Sequence, residues 1–232
     1  MNAMILAAGL GTRLGDLGQT EPKALMDIAG KPLLQRQLEF LERQGVERVV
    51  INAHHLAPQL VDFAARYRGP LEVRCIVEPE LLGTAGGVRN ALGDLGPGAF
   101  LVLYGDVVVQ EELAALVAHH ARRQPVATLA VYEAASAEAK GVVETDSRGR
   151  VTGFREKPEL GPGSVLINAG LYVVEPALIE TLAAGVFADF GQDVFPAALS
   201  AGLPIEAARL TAPVIDIGTP EGLALARQVA QP

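Results

Sequence analysis

Apolar and polar positions in the first half of the chain form blocks that predict strands followed by helices. Short apolar runs, which are typical of buried strands, lie at 3–8, 48–53, 71–77 and 99–106. Between them, apolar residues recur at helical spacing, as Leu34, Leu38 and Leu41 do after Pro32. Further helices are predicted near 57–67, from the turn at 82–87 to about residue 92, and around 113–120. This alternation predicts a doubly wound, parallel sheet.

After about residue 126 the pattern changes to strands with short connections. The apolar segments that predict these strands lie at 126–132, 141–146, 149–157 and 164–174, and "DSRG" at 146–149 is typical of a hairpin turn. The predicted elements beyond them are helices near 176–184 and 191–201, strands near 205–210 and 213–218, and a last helix. Thr219 is a suitable N-cap for that helix, with Pro220 at its first position. We expect the antiparallel part to extend the same sheet.

Length, charge and cysteine content limit the classes of function. The 232 residues carry 27 acidic and 19 basic side chains, and this net charge of −8 argues against nucleic-acid binding but not against a small anionic ligand. Cys75 is the only cysteine, so no intrachain disulfide is possible, and its apolar surroundings favour a buried thiol. The N-terminus is a poor signal peptide and no apolar run is long enough for a membrane span. A soluble, cytoplasmic protein that does not bind membranes is expected.

A glycine-rich segment, "LAAGLGTRL" at 6–14, follows the first strand. Glycines after a strand let backbone N–H groups approach an anion closely, and Arg13 adds a cation, so a phosphate group is the expected ligand. The dinucleotide fingerprint would need glycine at the position of Leu14, and the P-loop sequence is absent. Simple hydride transfer and P-loop hydrolysis are therefore disfavoured.

The segment Gly9-Leu10-Gly11-Thr12-Arg13, followed by "EPK" at 21–23, resembles the signature of sugar-1-phosphate nucleotidyltransferases. The later landmarks that appear in family order are "LGTAGG" (82–87), "YGD" (104–106), "KGVVETD" (140–146), "EKP" (156–158), "NAGLY" (168–172) and "DIGTPE" (216–221). The short form of the chain resembles guanylyltransferases for mannose 1-phosphate or manno-heptose 1-phosphate, and it also resembles short uridylyltransferases.

This resemblance implies an α/β, Rossmann-like, doubly wound mixed sheet of the nucleotide-diphospho-sugar transferase type with a small antiparallel sugar-binding extension. We expect a single domain over 1–232, with a mainly nucleotide-binding half at 1–125 and a mainly sugar-phosphate-binding half at 126–232. The implied partners are a nucleoside triphosphate and a sugar 1-phosphate, and the implied role is nucleotide-sugar synthesis for the cell envelope. Monomer and homodimer both stay open.

The implied reaction joins the sugar phosphate to the α-phosphorus of the nucleotide and releases pyrophosphate. It requires alignment and charge neutralisation rather than an activated nucleophile. Arg13 and Lys23 supply cations, and Asp106 completes the expected catalytic set. Asp106 and Asp216 each end an apolar strand, and two such carboxylates would hold a Mg²⁺ ion. Either aspartate alone could also cap the following helix.

The resemblance also assigns residues to the two substrates. The residues expected to bind the nucleotide are Leu6, Ala8, Gly9, Gly11, Thr12, Arg13, Lys23, Glu78, Gly83, Thr84, Gly87 and Asp106. The residues expected to bind the sugar phosphate are Gly141, Glu156, Lys157 and Asn168. A carboxylate at Glu78 can accept from N1–H and N2–H of guanine, which favours GTP if Glu78 faces the base rather than solvent.

Three alternatives remain open at this level. A uridylyltransferase for N-acetylmuramate 1-phosphate or another hexose 1-phosphate and a cytidylyltransferase for phosphocholine fit the same motifs. A catalytically silent subunit that binds nucleotide sugars could share the fold, although Arg13, Lys23, Asp106 and Asp216 are all present.

Overall fold

The computed structural model describes residues 1–134, 141–156, 164–212 and 214–230. The strands are β1 (Ala3–Leu6), β2 (Asp27–Ile28), β3 (Lys31–Pro32), β4 (Arg48–Ala53), β5 (Glu72–Val77), β6 (Phe100–Tyr104), β7 (Val107–Val108), β8 (Ala127–Ala134), β9 (Val142–Thr145), β10 (Val151–Arg155), β11 (Val165–Val174), β12 (Ile205–Arg209) and β13 (Ile215–Asp216). The α-helices are α1 (Asp16–Thr20), α2 (Leu33–Arg43), α3 (Ala57–Arg66), α4 (Gly83–Leu95), α5 (Ala114–Arg123), α6 (Pro176–Glu180), α7 (Phe195–Ser200) and α8 (Pro220–Val229).

One nine-stranded mixed sheet runs through both halves of the chain, as the sequence predicts. Its parallel part has the order β6-β1-β4-β5, and it continues on the other side of β6 through the antiparallel strand β11. The strand β8 pairs with β11, and β12 pairs with β8 in parallel. The C-terminal ends of β1, β4 and β6 therefore open at one edge, where α/β sheets bind ligands.

The ten-residue strand β11 joins the parallel sheet to the antiparallel extension. Residues 171–174 of β11 pair with β6, whereas Leu166 and Ile167 lie beyond the end of β6 and pair with β9. The strands β9 and β10 form the predicted hairpin, with Gly149 N–H donating to the Asp146 carbonyl at its turn. The hairpin is thus positioned above the open edge of the parallel strands.

Two apolar layers cover the faces of the sheet. On one face, Leu34, Leu38 and Leu41 of α2 pack with Ala3 and Ile5 of β1. On the other face Met4 belongs to a layer that includes α4, α6 and α7. Because consecutive residues of β1 enter opposite layers, the strand is buried on both sides, which explains its continuous apolar run.

A third apolar cluster fastens the C-terminal helix to the glycine-rich segment. It contains Leu14 just after Arg13, Ile215 and Ile217 on either side of Asp216, and Leu223 of α8. Thr219 caps α8 as predicted, since its hydroxyl accepts from Gly222 N–H at 3.1 Å. This cluster thus brings together the segments that carry Arg13 and Asp216, which lie far apart in the sequence.

Two sequence predictions differ from the structure in detail. The helix predicted near 191–201 consists of a π-helical turn at Phe190–Val194 followed by α7, and Asp189 caps its start by accepting from Gly191 and Gln192 N–H. The helix predicted near 176–184 ends at Glu180. Within the described part of the chain, no helix combines the length and apolar composition needed to cross a membrane.

Candidate active site

The glycine-rich segment forms a tight turn that carries Arg13. Gly11 has a φ of +71°, which glycine adopts without strain, and the short helical turn Thr12–Leu14 follows it. The backbone of Gly11 touches that of Gly18 so closely that a Cβ atom on Gly18 would overlap the Gly11 carbonyl. His55 Nε2 donates to the Gly18 carbonyl at 2.9 Å and so fixes this turn to the start of α3.

A first cavity of about 310 Å³ lies at the ends of β1, β4 and β6. Most of its wall is apolar, and the exposed phenyl ring of Phe187 forms part of it. The residues predicted to bind nucleotide that line this cavity are Leu6, Ala8, Gly9, Lys23, Gly83, Thr84 and Asp106. An apolar cleft with a few charged groups at one end suits a flat base joined to phosphates.

A second cavity of about 260 Å³ adjoins the first and is more polar. The predicted residues that line it are Arg13, Thr84, Asp106, Gly141, Glu156, Asn168 and Asp216. The walls of the two cavities share Thr84, Tyr104, Asp106 and Asp189. The residues predicted for the sugar phosphate therefore surround one cavity, apart from Lys157, which lies outside the described residues.

Asp106 and Asp216 are held together by a two-stranded ladder. Asp216 of β13 pairs with Val107 of β7, and Ile217 N–H donates to the Asp106 carbonyl at 2.8 Å. Oδ1 of Asp216 accepts from Gly218 N–H at 2.6 Å. A Cβ atom on Gly218 would lie 2.8 Å from both this Oδ1 and Nη2 of Arg13. Arg13, Asp106 and Asp216 thus converge on one cavity.

Lys23 and Asp106 form an ion pair at the junction of the cavities. Nζ of Lys23 lies 2.9 Å from Oδ2 of Asp106, and the two side chains are 14% and 23% exposed. The described residues include no cluster of three or more His, Cys, Asp or Glu side chains suited to a metal ion. Two carboxylates on one wall match the donor set of Mg²⁺, which takes its other ligands from phosphates and water.

Glu78 occupies a different place from the one the sequence predicts. Glu78 is 1% exposed, so it does not face solvent, and it is not among the residues that line either cavity. Oε1 accepts from Asn52 Nδ2 at 2.7 Å, and Oε2 accepts from Leu82 N–H at 3.2 Å. Asn52 in turn accepts from Ala7 N–H at 2.8 Å. Glu78 therefore supports the backbone behind the wall of the first cavity. The prediction that its carboxylate selects guanine is not supported by this position.

Three further predicted residues act behind the cavity walls. Gly11 and Thr12 belong to the turn that carries Arg13. Gly87 lies against the Asn52–Glu78 pair, because a Cβ atom there would be 2.6 Å from Asn52 Nδ2 and 2.8 Å from Glu78 Oε1. The close approach of α4 to this buried pair explains why glycine stands at position 87.

Sequence reasoning missed Tyr104, Asn52 and Asp189 as site residues. Tyr104 lies within the quoted "YGD", and burial raises the pKa of its hydroxyl well above the usual range. Asn52 ends a strand at the same sheet edge as Asp106. Asp189 precedes a helical segment, which is an N-cap pattern that could have been recognised. Their contribution to the cavities depends on contacts between segments far apart in sequence.

Comparisons with known proteins identify the family of this chain. The sequence model of the family described as nucleotidyl transferase matches residues 2–231. The UTP–glucose-1-phosphate uridylyltransferase of Synechocystis is 32% identical over 94% of the chain and 60% of its own length. The mannose-1-phosphate guanylyltransferase of Mycobacterium tuberculosis is 32% identical over 87% of the chain and 56% of its own length. The chain thus spans somewhat more than half of these curated relatives.

Solved structures match over nearly the whole chain. HddC from Yersinia pseudotuberculosis, in complex with GMP-PN, superposes with a TM-score of 0.86 and 29% identity, and 99% of each chain is covered. A Bacillus anthracis protein in complex with sucrose gives a TM-score of 0.87 at 18% identity, which establishes the fold alone.

Proposed function

We propose, because the chain belongs to the nucleotidyl transferase family, that it transfers a nucleotidyl group from a nucleoside triphosphate to a sugar 1-phosphate. The observation that carries this proposal is the pair of adjoining cavities, one mainly apolar and one polar, whose walls share Asp106. A base would occupy the first cavity and a sugar the second. The α-phosphate and the sugar phosphate would then meet beside Asp106.

In this reaction an oxygen of the sugar phosphate attacks the α-phosphorus in line. The new O–P bond forms as the bond to the bridging oxygen of pyrophosphate breaks. The attacking phosphate has a second pKa of about 6, so at neutral pH it is mostly dianionic and needs no general base. Catalysis then rests on alignment and on neutralising charge at the transferring phosphorus.

Lys23 and Arg13 have distinct charge geometries for this task. The ammonium of Lys23, on the first cavity, is a compact charge suited to phosphate oxygens of the nucleotide. The planar guanidinium of Arg13, on the second cavity, can bind two oxygens at once. Together they would hold the two anionic reactants against their mutual repulsion.

Asp106 and Asp216 would hold Mg²⁺, which fits the two hard oxygen donors on the wall of the second cavity. When bound, the ion neutralises phosphate charge and orients the phosphates. Asp106 would then exchange its contact with Lys23 for the ion, and Lys23 would turn to the nucleotide. Gly218 N–H keeps Asp216 oriented through its hydrogen bond to Oδ1.

Among the nucleotides, we favour GTP, with mannose 1-phosphate or a manno-heptose 1-phosphate as the sugar. The support is the run of relatives named mannose-1-phosphate guanylyltransferase and the full-length match to HddC in complex with GMP-PN. We also propose that the protein acts in the cytoplasm and makes a nucleotide sugar for the cell envelope. Uridylyl transfer is the second candidate, favoured by the Synechocystis relative.

A matrix of substrates tests the proposal. Pyrophosphate release is measured with GTP, UTP, CTP and dTTP, each against mannose, manno-heptose, glucose and N-acetylmuramate 1-phosphates in the presence of Mg²⁺. GTP with a manno-configured sugar should be the fastest pair. A fastest pair containing UTP would favour the second candidate, and absence of release from every pair would contradict the enzyme proposal.

A further inference from the structure

A chain of hydrogen bonds connects the two cavities through the interior. Asn168 Nδ2 donates to the Tyr172 hydroxyl at 2.7 Å, and Tyr172 donates to the Tyr104 hydroxyl at 3.2 Å. Tyr104 and Thr84 both lie on the wall that the two cavities share, and the Thr84 hydroxyl donates to Oδ2 of Asp189 at 2.8 Å. The first member of the chain lines the second cavity, and the last members line both.

The single proton of each hydroxyl group limits the direction of these bonds. Tyr172 donates its proton to Tyr104, so the Tyr172 oxygen can only accept from the Asn168 amide. Thr84 donates its proton to Asp189, and its oxygen accepts from Phe190 N–H at 2.9 Å.

The backbone fixes the other side of the Asn168 amide. Oδ1 of Asn168 accepts from Gly170 N–H at 3.1 Å. The carbonyl is therefore turned to its own strand and the NH₂ group to Tyr172. An amide NH₂ group has two hydrogens, so one remains after the other is donated to the Tyr172 hydroxyl. Because Asn168 lines the second cavity, that hydrogen is the polar contact it offers there.

We propose that Tyr172 and Tyr104 are positioning residues that hold the Asn168 amide as a hydrogen-bond donor toward the sugar. The proposal rests on the proposed function, since it assigns the second cavity to the sugar 1-phosphate. It predicts that a hydroxyl oxygen of the sugar accepts a hydrogen bond from the NH₂ group of Asn168. Without the Tyr172 hydroxyl, the amide loses the acceptor that holds its NH₂ group in place.

Loss of the Tyr172 hydroxyl should affect Asn168 and Thr84 differently. Thr84 is held by Asp189 and by Phe190 N–H independently of the tyrosines. Asn168 has only Tyr172 as the described partner of its NH₂ group. Removing the Tyr172 hydroxyl should therefore affect the sugar side and leave the nucleotide side unchanged.

The test compares Tyr172→Phe with the wild type, using the fastest pair from the substrate matrix. We expect the KM for the sugar 1-phosphate to rise about three- to tenfold, as for one lost hydrogen bond, with kcat and the KM for the nucleotide within about twofold. Tyr67→Phe is the matched control, because Tyr67 lies outside both cavities, and it should change none of these constants. If Tyr172→Phe does not fold, Tyr104→Phe should give a smaller rise in the same KM.

A double-mutant cycle separates positioning from general loosening of the core. Asn168→Ala should raise the sugar KM by itself, and adding Tyr172→Phe to it should produce no further rise. Additive effects, an unchanged sugar KM in both tyrosine variants, or an equal rise in both KM values would overturn the inference alone. A wild-type protein that neither releases pyrophosphate nor binds any sugar 1-phosphate would contradict the proposed function and this inference together.

Discussion

Nζ of Lys23 lies 2.9 Å from Oδ2 of Asp106 at the point where the two cavities meet. Both side chains are mostly shielded from water, so each partially satisfies the charge of the other in the absence of substrate. In the proposed reaction, Lys23 would bind phosphate oxygens of the nucleotide and Asp106 would help to hold a divalent cation. The ion pair keeps both side chains ordered in the structure without substrate.

Replacing either Asp106 or Asp216, which both line the second cavity, should abolish turnover. Asp106→Asn and Asp216→Asn keep the side-chain shape but remove a charged oxygen donor, so we expect kcat to fall by about 100-fold or more while the proteins remain folded. Pyrophosphate release and thermal unfolding measure the two effects. Asp62→Asn, on the exposed face of α3, is the control. Full activity in both site variants would refute the metal assignment.

A pair of glycine substitutions on one helix should have opposite effects on stability. Gly87→Ala forces a Cβ atom against Asn52 and Glu78, so the free energy of unfolding should fall by about 1–3 kcal/mol. Gly93→Ala meets no atom within 4 Å and should be neutral or stabilise by up to about 1 kcal/mol, since alanine favours helix. Urea unfolding measures both changes. Equal effects would show that the packing around position 87 is looser than described.

Glu78→Gln should leave the preference between bases unchanged. Glutamine can supply only one acceptor where Glu78 accepts from two donors, so one buried donor loses its partner at a cost of about 1–3 kcal/mol. We expect kcat/KM for GTP and UTP to fall by the same factor, because the side chain supports the cavity from behind. A selective loss with GTP would show that Glu78 reaches the base during the reaction.

Alkylation of Cys75 should be slow at neutral pH. Burial raises the pKa of its thiol to about 11. Because the thiolate is the reacting form, iodoacetamide should react roughly 100-fold more slowly than with a free thiol, and the rate should rise with pH toward that pKa. The same chain in denaturant is the control. Equal rates in the folded and unfolded protein would contradict this prediction.

A tryptophan at position 187 should report nucleotide binding in the first cavity. The chain contains no tryptophan, and Phe187 is 59% exposed on the wall of that cavity. We expect GTP to quench the fluorescence of Phe187→Trp, because a base stacks on the indole, whereas mannose 1-phosphate alone should not. Val186→Trp, at the neighbouring exposed position, is the control and should respond weakly. Equal quenching in both variants would contradict the assignment of this cavity to the base.

The strands and caps of the fold could be predicted because their signals are local. The run at 48–53 became β4 without change, and Thr219 caps α8 as its side-chain chemistry suggests. The pairing of β13 with β7 could not be read from these segments, since each contributes two residues and the pairing depends on the third apolar cluster. Local patterns thus specified the elements, whereas the apolar clusters determined how they meet.

In the candidate site, too, some positions could be predicted from local motifs, whereas others depend on contacts between distant segments. That Gly9, Lys23, Asp106 and Asp216 line one pair of adjoining cavities could be predicted, because the motifs that contain them resemble the signature of one family. The position of Glu78 could not, because a carboxylate after a strand can face a ligand or turn inward. Its direction depends on Asn52 and on the N-terminus of α4, which are separate segments of the chain.

Two separate segments of β11 pair with different parts of the sheet. Residues 171–174 hold the parallel sheet in register, whereas Leu166 and Ile167 carry the hairpin of β9 and β10. A hairpin exchanged for one of different length or sequence would leave the register of β6, β1 and β4 untouched. The hairpin is therefore a unit whose length and sequence could be varied while the strands that precede Asp106 and the glycine-rich segment keep their pairing.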